Sequence, residues 1–191
     1  GDGLRTAYVV LRTAGIRIER YIAVEINIET RAVAKKNGQT ALQIEHMEPH
    51  DILSRVTLEN VFHGGFVPNL FIATPMCVAF SSARTNPGGL NEKAADTFKA
   101  AAKWWGQVKS VNPQCRHFVE TVVLHPKLKS DEPKQEALFQ LKFQHTEAIY
   151  LQQTNRRPRR IATDLVTYAN IPKCQHFNPA LILDENRFPV E

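Results

Sequence analysis

Residues 69–82, NLFIATPMCVAFSS, decide how the fold of this chain is interpreted. Leu70 to Ala73 are apolar without alternation, which is typical of a strand buried on both faces. Pro75 cannot donate a hydrogen bond to a sheet, so the strand is predicted to end there. Cys77 therefore follows the carboxyl end of a strand, where open α/β sheets bind their ligands. Its thiol is either a nucleophile or a half-buried group that packs as a small apolar side chain.

Apolar periodicity on both sides of this stretch predicts helices that alternate with strands. Helices are expected over residues 6–13 and 28–36, from an N-cap at Asn91 through Trp105, and from Pro133 onward. Strands are expected at residues 21–24, 40–44, 117–123, 148–151 and 161–165. This alternation predicts an α/β domain with a largely parallel sheet. The polar loop from Ser82 to Leu90 is expected to be mobile.

Composition narrows the class of protein. With 191 residues, of which 43% are hydrophobic and 23% charged, the chain is expected to be one globular domain or a large part of one. No apolar run reaches the roughly eighteen residues of a membrane span. Three cysteines without metal-site spacing, and no recognisable signal peptide, predict an intracellular, reducing compartment, the nucleus in a eukaryote. The net charge of +5 permits a polyanionic partner.

Two further positions carry chemistry. Glu120 interrupts the apolar strand around it, and a carboxylate buried there is costly unless it is paired or used. The alternative is a glutamate that faces solvent near the end of the strand. Arg157 and Arg159 alternate along an extended stretch, so both point to one face and could bind a phosphate or a carboxylate. The alternative there is a solvated basic loop.

Several motifs occur in an informative order. They are Gly1-Asp2-Gly3-Leu4-Arg5-Thr6-Ala7, Arg20-Tyr21-Ile22-Ala23-Val24-Glu25, His50-Asp51-Ile52, the Cys77 stretch with Ser81, Phe118-Val119-Glu120-Thr121-Val122, and Arg157-Pro158-Arg159. Their order and spacing resemble the catalytic domains of DNA cytosine-5 methyltransferases, most closely the animal de novo type. The resemblance implies a Rossmann-like methyltransferase fold with a mostly parallel sheet and helices on both faces. It covers residues 1–172 as a partial catalytic domain, with an irregular tail at 173–191 that resembles the edge of a target-recognition region.

The resemblance also implies a site and a reaction. Asp2, Gly3, Leu4 and Thr6 would form the loop that holds S-adenosylmethionine, Glu25 would bind its ribose, and Asp51 and Ile52 would face its adenine. Cys77 would add to carbon 6 of a cytosine flipped out of DNA, which makes carbon 5 nucleophilic toward the methyl group. Glu120 would contact the pyrimidine nitrogen, and Arg157 and Arg159 would position the base. The loop after Cys77 would close over the nucleotide.

The chain departs from the family pattern at defined positions. Arg5 and Ala7 replace glycines of the cofactor loop, Asn69 replaces an aspartate, Met76 a proline and Thr121 an asparagine. These departures leave open a catalytically inactive relative with a binding or scaffolding role, and the shared cysteine chemistry leaves open an RNA substrate. DNA contacts are expected mainly at the phosphate backbone. A second chain or a missing segment is expected to complete the sheet, because the family's first strand precedes the cofactor loop.

Overall fold

A computed structural model describes residues 6–19, 21–25, 27–30, 32–33, 67–81, 83–147 and 158–165. Its central feature is a four-stranded sheet with two helices packed on one face. The helices are α1 (Thr6–Thr13), α2 (Asp96–Val111) and α3 (Glu132–Phe139), and the strands are β1 (Leu70–Ala73), β2 (Arg116–Val122), β3 (Gln144–Glu147) and β4 (Pro158–Thr163). Short 3₁₀ turns cover Gly89–Asn91, Lys93–Ala95 and Pro126–Asp131.

The sheet is mixed, with strand order β1-β2-β4-β3. Strands β1 and β2 are parallel, with Ala73 opposite Val119, whereas β4 is antiparallel to both β2 and β3. The prediction of an α/β domain is confirmed, but a mostly parallel sheet is wrong for the described strands. The physical reason is the connection: only residues 148–157 separate β3 from β4, too short for the crossover that parallel neighbours require.

Helix α2 forms the core against one face of the sheet. Its Trp105 ring lies 5.5 Å from the ring of Phe71 and 5.2 Å from that of His117. Farther along the helix, Phe98 packs edge-on between Phe80 at 5.2 Å and Phe139 of α3 at 5.1 Å. Edge-to-face aromatic pairs of this kind stabilise a core beyond the area they bury. Both α2 and α3 therefore lie on the sheet face that includes His117.

Several predicted boundaries agree with the structure and others do not. The helix at residues 6–13 and the bounds of the strand Leu70–Ala73 are confirmed. The predicted burial of that strand on both faces is wrong, because β1 is an edge strand of the described sheet and three of its four residues are only half-buried. Residues 28–30 and 32–33 are helical, in agreement with the predicted helix there. Residues 21–24 form neither helix nor strand in the described part of the chain, so the strand predicted there is not present. Asn91 does not cap α2, because two 3₁₀ turns intervene and the helix begins at Asp96 and continues to Val111. The predictions for residues 40–44 and 148–151 lie outside the described residues.

The loop after Cys77 is held by hydrogen bonds along its described length. The amide of Gly89 donates to the carbonyl of Ala79 at 2.9 Å, and the amide of Leu90 donates to the buried carboxylate of Asp131 at 3.1 Å. Glu92 accepts from the amide of Gly88 at 2.9 Å and also binds the Arg84 guanidinium. The predicted mobility of this loop is therefore not what its contacts indicate.

Within the described ranges, every helix is too short or too polar to cross a bilayer. The same residues contain no cluster of three or more histidine, cysteine, aspartate or glutamate side chains arranged to hold a metal ion.

Candidate active site

Cys77 lies on the connection that leaves the carboxyl end of β1. Its carbonyl accepts a hydrogen bond from the Phe80 amide at 2.9 Å, which closes a turn directly after the cysteine. The thiol is free, half-buried, and packed against the hydrophobic core on one side. The neighbours Met76 and Val78 are 53% and 45% exposed, so the turn presents the cysteine between two apolar side chains at the surface. This is an accessible position for a nucleophile.

Glu120 and Arg159 form an ion pair on the sheet face opposite α2 and α3. The guanidinium Nε of Arg159 contacts a carboxylate oxygen of Glu120, and the two side chains are only 20% and 26% exposed. Their strands are antiparallel, and Arg159 lies opposite Val122, two residues beyond Glu120. The pair is thus a diagonal cross-strand contact, which long side chains reach readily. The carboxylate predicted to face solvent in the alternative interpretation is instead paired and half-buried.

Cys77 and Glu120 come from the same edge of the sheet. Because β1 and β2 are parallel and Ala73 lies opposite Val119, both strands run toward the same end of the sheet. Glu120 is the next residue after that register pair, and Cys77 follows a few residues beyond β1. The fold therefore places a thiol, a carboxylate and a guanidinium at or near the carboxyl end of two neighbouring parallel strands.

The backbone around the edge joins these elements into one unit. Ser81 and Leu124 form an isolated bridge, and the amide of His125 donates to the carbonyl of Phe80 at 3.0 Å. The segment after Cys77 is thereby held against the segment that follows β2. The thiol and the ion pair consequently sit on segments that are fixed relative to one another.

The predicted cofactor residues can be followed only in part. Thr6 is the first residue of α1 and therefore lies at a helix N-terminus, which suits a ligand with negative charge or hydrogen-bond acceptors. Glu25 is half-buried and one of its oxygens accepts from the Asn27 amide at 2.9 Å. Asp2, Gly3, Leu4, Asp51, Ile52 and the predicted catalytic Arg157 lie outside the described residues.

Arg160 is a functional candidate that sequence reasoning missed. Its side chain is fully buried on the helix-facing side of the sheet, where its Nη1 donates to Gln135 at 2.7 Å and its Nη2 lies 3.0 Å from Glu132. Burial lowers the pKa of the guanidinium, and the carboxylates of Glu132 and Glu136 oppose that shift. The available signal was the doublet Arg159-Arg160, because adjacent strand residues must face opposite sides.

A second polar cluster lies at the other end of β2. The Asp164 carboxylate accepts from the His117 amide at 2.8 Å and forms an ion pair with Arg116 at 3.3 Å. Burial raises the pKa of Asp164, but that hydrogen bond and the positive charges of His117 and Arg116 bring it below its ordinary value. Because this cluster stands at the amino end of β2, it is separated from Cys77 by the length of the strand.

The two described cysteines differ in chemical competence. Cys115 is 1% exposed, and burial raises the pKa of its thiol to about 11. It also donates a weak hydrogen bond to the carbonyl of Arg116 at 3.3 Å. A neutral, enclosed thiol is a poor nucleophile, so Cys77 is the better candidate of the two.

No protein-family model matches this sequence, and no curated protein matches it either. The geometry of the site and the motifs in the sequence are therefore what indicate its function.

Proposed function

We propose that this chain is a DNA cytosine-5 methyltransferase domain of the Rossmann-like, S-adenosylmethionine-dependent type, in which Cys77 forms a covalent adduct with the target base. The observation that carries the proposal is that Cys77 follows the carboxyl end of β1, while the neighbouring parallel strand β2 carries Glu120 paired with Arg159 toward the same end. A thiol, an acid and a guanidinium at one sheet edge are the groups that addition to a pyrimidine ring requires.

The reaction uses each group for a separate task. The Cys77 sulfur bonds to carbon 6 of the extruded cytosine, and the electrons of the double bond move toward carbon 5. Glu120 binds the edge of the ring at its nitrogen and stabilises the charge that develops there. Arg159 orients Glu120 and the base. After carbon 5 has gained the methyl group, it gives up its proton to water. The electron pair of that bond reforms the double bond between carbons 5 and 6 and expels the Cys77 thiolate from carbon 6.

The cofactor that the motifs imply is S-adenosylmethionine, which supplies a methyl group bound to a positively charged sulfur. Thr6 at the start of α1 and the half-buried carboxylate of Glu25 fit this role among the described residues. Asp2, Gly3, Leu4, Asp51 and Ile52 would complete the binding site by their correspondence to the family motifs. Arg5 stands where the family has a glycine, so close approach of the backbone to the cofactor depends on where that side chain points.

A second candidate function is a catalytically inactive domain that binds other molecules without methyl transfer. The observation that favours it is the ion pair itself, because a carboxylate engaged by Arg159 can also be a structural contact between β2 and β4. The two functions differ in whether Cys77 forms a bond to the base.

Covalent trapping tests the proposal. The full chain is incubated with S-adenosylmethionine and duplex DNA that contains 5-fluorocytosine, and adducts are separated under denaturing conditions. Fluorine at carbon 5 cannot leave as a proton does, so the bond to sulfur persists after methyl transfer. We expect an adduct that mass spectrometry maps to Cys77, lost in Cys77→Ser and retained in Cys115→Ala.

Three other results would contradict parts of the proposal. An adduct that survives Cys77→Ser would refute the assignment of the nucleophile. Calorimetric binding of S-adenosylmethionine without any adduct would favour the inactive domain, and an adduct formed only with a 5-fluorocytidine RNA would reassign the substrate.

A further inference from the structure

The β4 strand carries two adjacent arginines with opposite environments. Arg159 points to the sheet face that contains Glu120, whereas Arg160 points to the face covered by α2 and α3. A slip of β4 by one residue would exchange the two, because every side chain of a slipped strand moves to the other face. The ion pair of the candidate active site therefore depends on the register of β4.

The apolar residues of β4 itself do not select this register. Ile161 and Ala162 follow the two arginines, lie on opposite faces, and are both buried, at 8% and 1% exposed. Register is normally specified by one apolar face and one polar face, and β4 lacks that contrast. The difference between the two faces of β4 must therefore come from the polar contacts of Arg160.

Those contacts come from one side of α3. The guanidinium of Arg160 donates to the side-chain oxygen of Gln135 at 2.7 Å and lies 3.0 Å from Glu132 and 4.0 Å from Glu136. The same oxygen of Glu132 is 3.2 Å from the imidazole of His145, the residue opposite Arg160 on β3. Helix α3 thus places a carboxylate of Glu132 against one cross-strand pair, His145 of β3 and Arg160 of β4.

The energetic cost of burying the Arg160 charge indicates that its contacts serve to select one strand register and not to add stability. Arg160 is fully buried, yet its Nε and Nη2 make no hydrogen bond within the described part of the chain; the contact of Nη2 with Glu132 is a charge interaction without hydrogen-bond alignment. Buried ion pairs of this kind contribute little net stability and are often replaceable by apolar residues. From these observations we infer that the contacts of Arg160 with Glu132, Gln135 and Glu136 set the register of β4, which makes Arg160 the positioning residue for Arg159.

The inference rests on the proposed function for the purpose of the Glu120–Arg159 pair, but its test requires neither DNA nor cofactor. The full chain is compared with Arg160→Met and with the matched variant Arg159→Met, which alters the neighbouring residue on the same strand. Nuclear magnetic resonance measures cross-strand contacts between β2 and β4 and the hydrogen exchange of the Arg159 Nε proton.

We expect Arg159→Met to retain only the native contacts, such as Val122 with residue 159. In Arg160→Met we expect a second set of contacts displaced by one residue, and exchange of the Arg159 Nε proton at least about tenfold faster than in the unaltered chain. Arg160→Lys retains a positive charge and should restore the single register. A single native register in Arg160→Met, with Arg159 as protected as before, would overturn the inference.

A second variant keeps the test decisive if Arg160→Met does not fold. Glu132→Gln leaves Arg160 in place and replaces the nearer of its two carboxylates by an amide of the same size, at a side chain that is 34% exposed. It should show the same second register. Failure of both variants to fold would also overturn the inference, since the contact would then stabilise the whole domain and not select one register. If the unaltered chain forms no adduct with DNA that contains 5-fluorocytosine, but the variants show the second register, the proposed function fails and the inference about β4 stands.

Discussion

At the scale of single residues, the two described cysteines should react at very different rates. The pKa of the Cys115 thiol is raised to about 11 by burial, so it holds on the order of 100-fold less thiolate at neutral pH than an ordinary cysteine. Because Cys77 is only half-buried whereas Cys115 is enclosed, we expect iodoacetamide to label Cys77 at least about tenfold faster than Cys115 in the native protein. Mass spectrometry of the separate peptides measures both rates.

The control for this labelling is the unfolded chain. In denaturant, where burial is lost, the two cysteines should react at similar rates. Equal labelling of both in the native protein would show that Cys115 is accessible and would weaken the choice of Cys77 as nucleophile.

His117 should make stability depend on pH. Burial lowers the pKa of His117 more than the Asp164 carboxylate raises it, so the unfolded chain binds a proton at higher pH than the folded chain does. The contribution is complete above about pH 6.5 and is lost as the pH falls through the lower, folded pKa. Asp164 titrates below this range, because its own pKa is lowered from 3.8.

We expect His117→Phe to remove this dependence and to preserve the ring that packs on Trp105. The free energy of unfolding of the unaltered chain should fall relative to that of the variant between about pH 7 and 5, by at most about 1.4 kcal/mol per pH unit. Urea denaturation of both proteins at several pH values measures the difference. Parallel curves over that range would contradict the assigned direction of the pKa.

At the scale of elements, two glycines offer a matched pair of substitutions. Gly89 has a φ of +61°, and a Cβ there would collide with the Asp131 carboxylate and lie 2.9 Å from Leu128. Gly106 lies inside α2, and a Cβ there would meet nothing within 4 Å. The first position therefore requires glycine, and the second does not.

We expect Gly89→Ala to destabilise the protein by about 1–3 kcal/mol, because backbone strain and a displaced Asp131 add together. Gly106→Ala should stabilise it by about 0.5–1 kcal/mol, because alanine is the better helix former. Urea unfolding measures both. If Gly89→Ala is as stable as the unaltered chain, the loop after Cys77 is not held by Asp131 as the structure indicates.

Elements differ in how far their local sequence predicts them. The apolar residues of α1 have helical spacing, and β1 is a short, continuous apolar run that ends before a proline. The bounds of both elements could therefore be predicted. The start of α2 could not: Asn91 is a good capping residue, but the contacts of Leu90 with Asp131 place a 3₁₀ turn there instead. Strand β3 was missed because its QHTE sequence has no apolar alternation and it forms by pairing with β4.

At the scale of the whole molecule, charge governs the expected association with DNA. The net charge is +5, and Lys127, on the turn after β2, forms no ion pair with any described carboxylate and donates instead to the amide oxygen of Asn86 at 3.0 Å. We expect duplex binding that weakens steeply with salt, with a slope of about −0.9 in log K against log salt for each phosphate contacted. Backbone contacts carry no sequence information, so two unrelated duplexes should bind alike.

A competition assay with two unrelated duplexes at increasing salt checks this expectation. Lys127→Ala should reduce the slope, whereas Lys142→Ala serves as the control, because Lys142 is already paired with Glu136 at 2.8 Å. A strong preference for one duplex that persists as salt rises would show that the chain contains a sequence-reading element.

Features that depend on a few neighbouring residues could be predicted from the amino-acid sequence alone. The sequence indicated an apolar strand that ends before Cys77, a charged residue in the strand at Glu120, and basic residues near Arg159, because apolar spacing and proline act over a few neighbouring residues. These features sufficed for an α/β domain with a candidate nucleophile at a strand end.

Only the tertiary structure decided which of these groups meet. The antiparallel pairing of β2 with β4 brings Glu120 to Arg159, and the contacts of α3 direct Arg160 to the opposite face. Neither could be derived from the chain order, because strand pairing and register depend on residues that are distant in sequence, and because Arg159 and Arg160 are chemically identical. Their different roles arise from the face of the sheet on which each one lies.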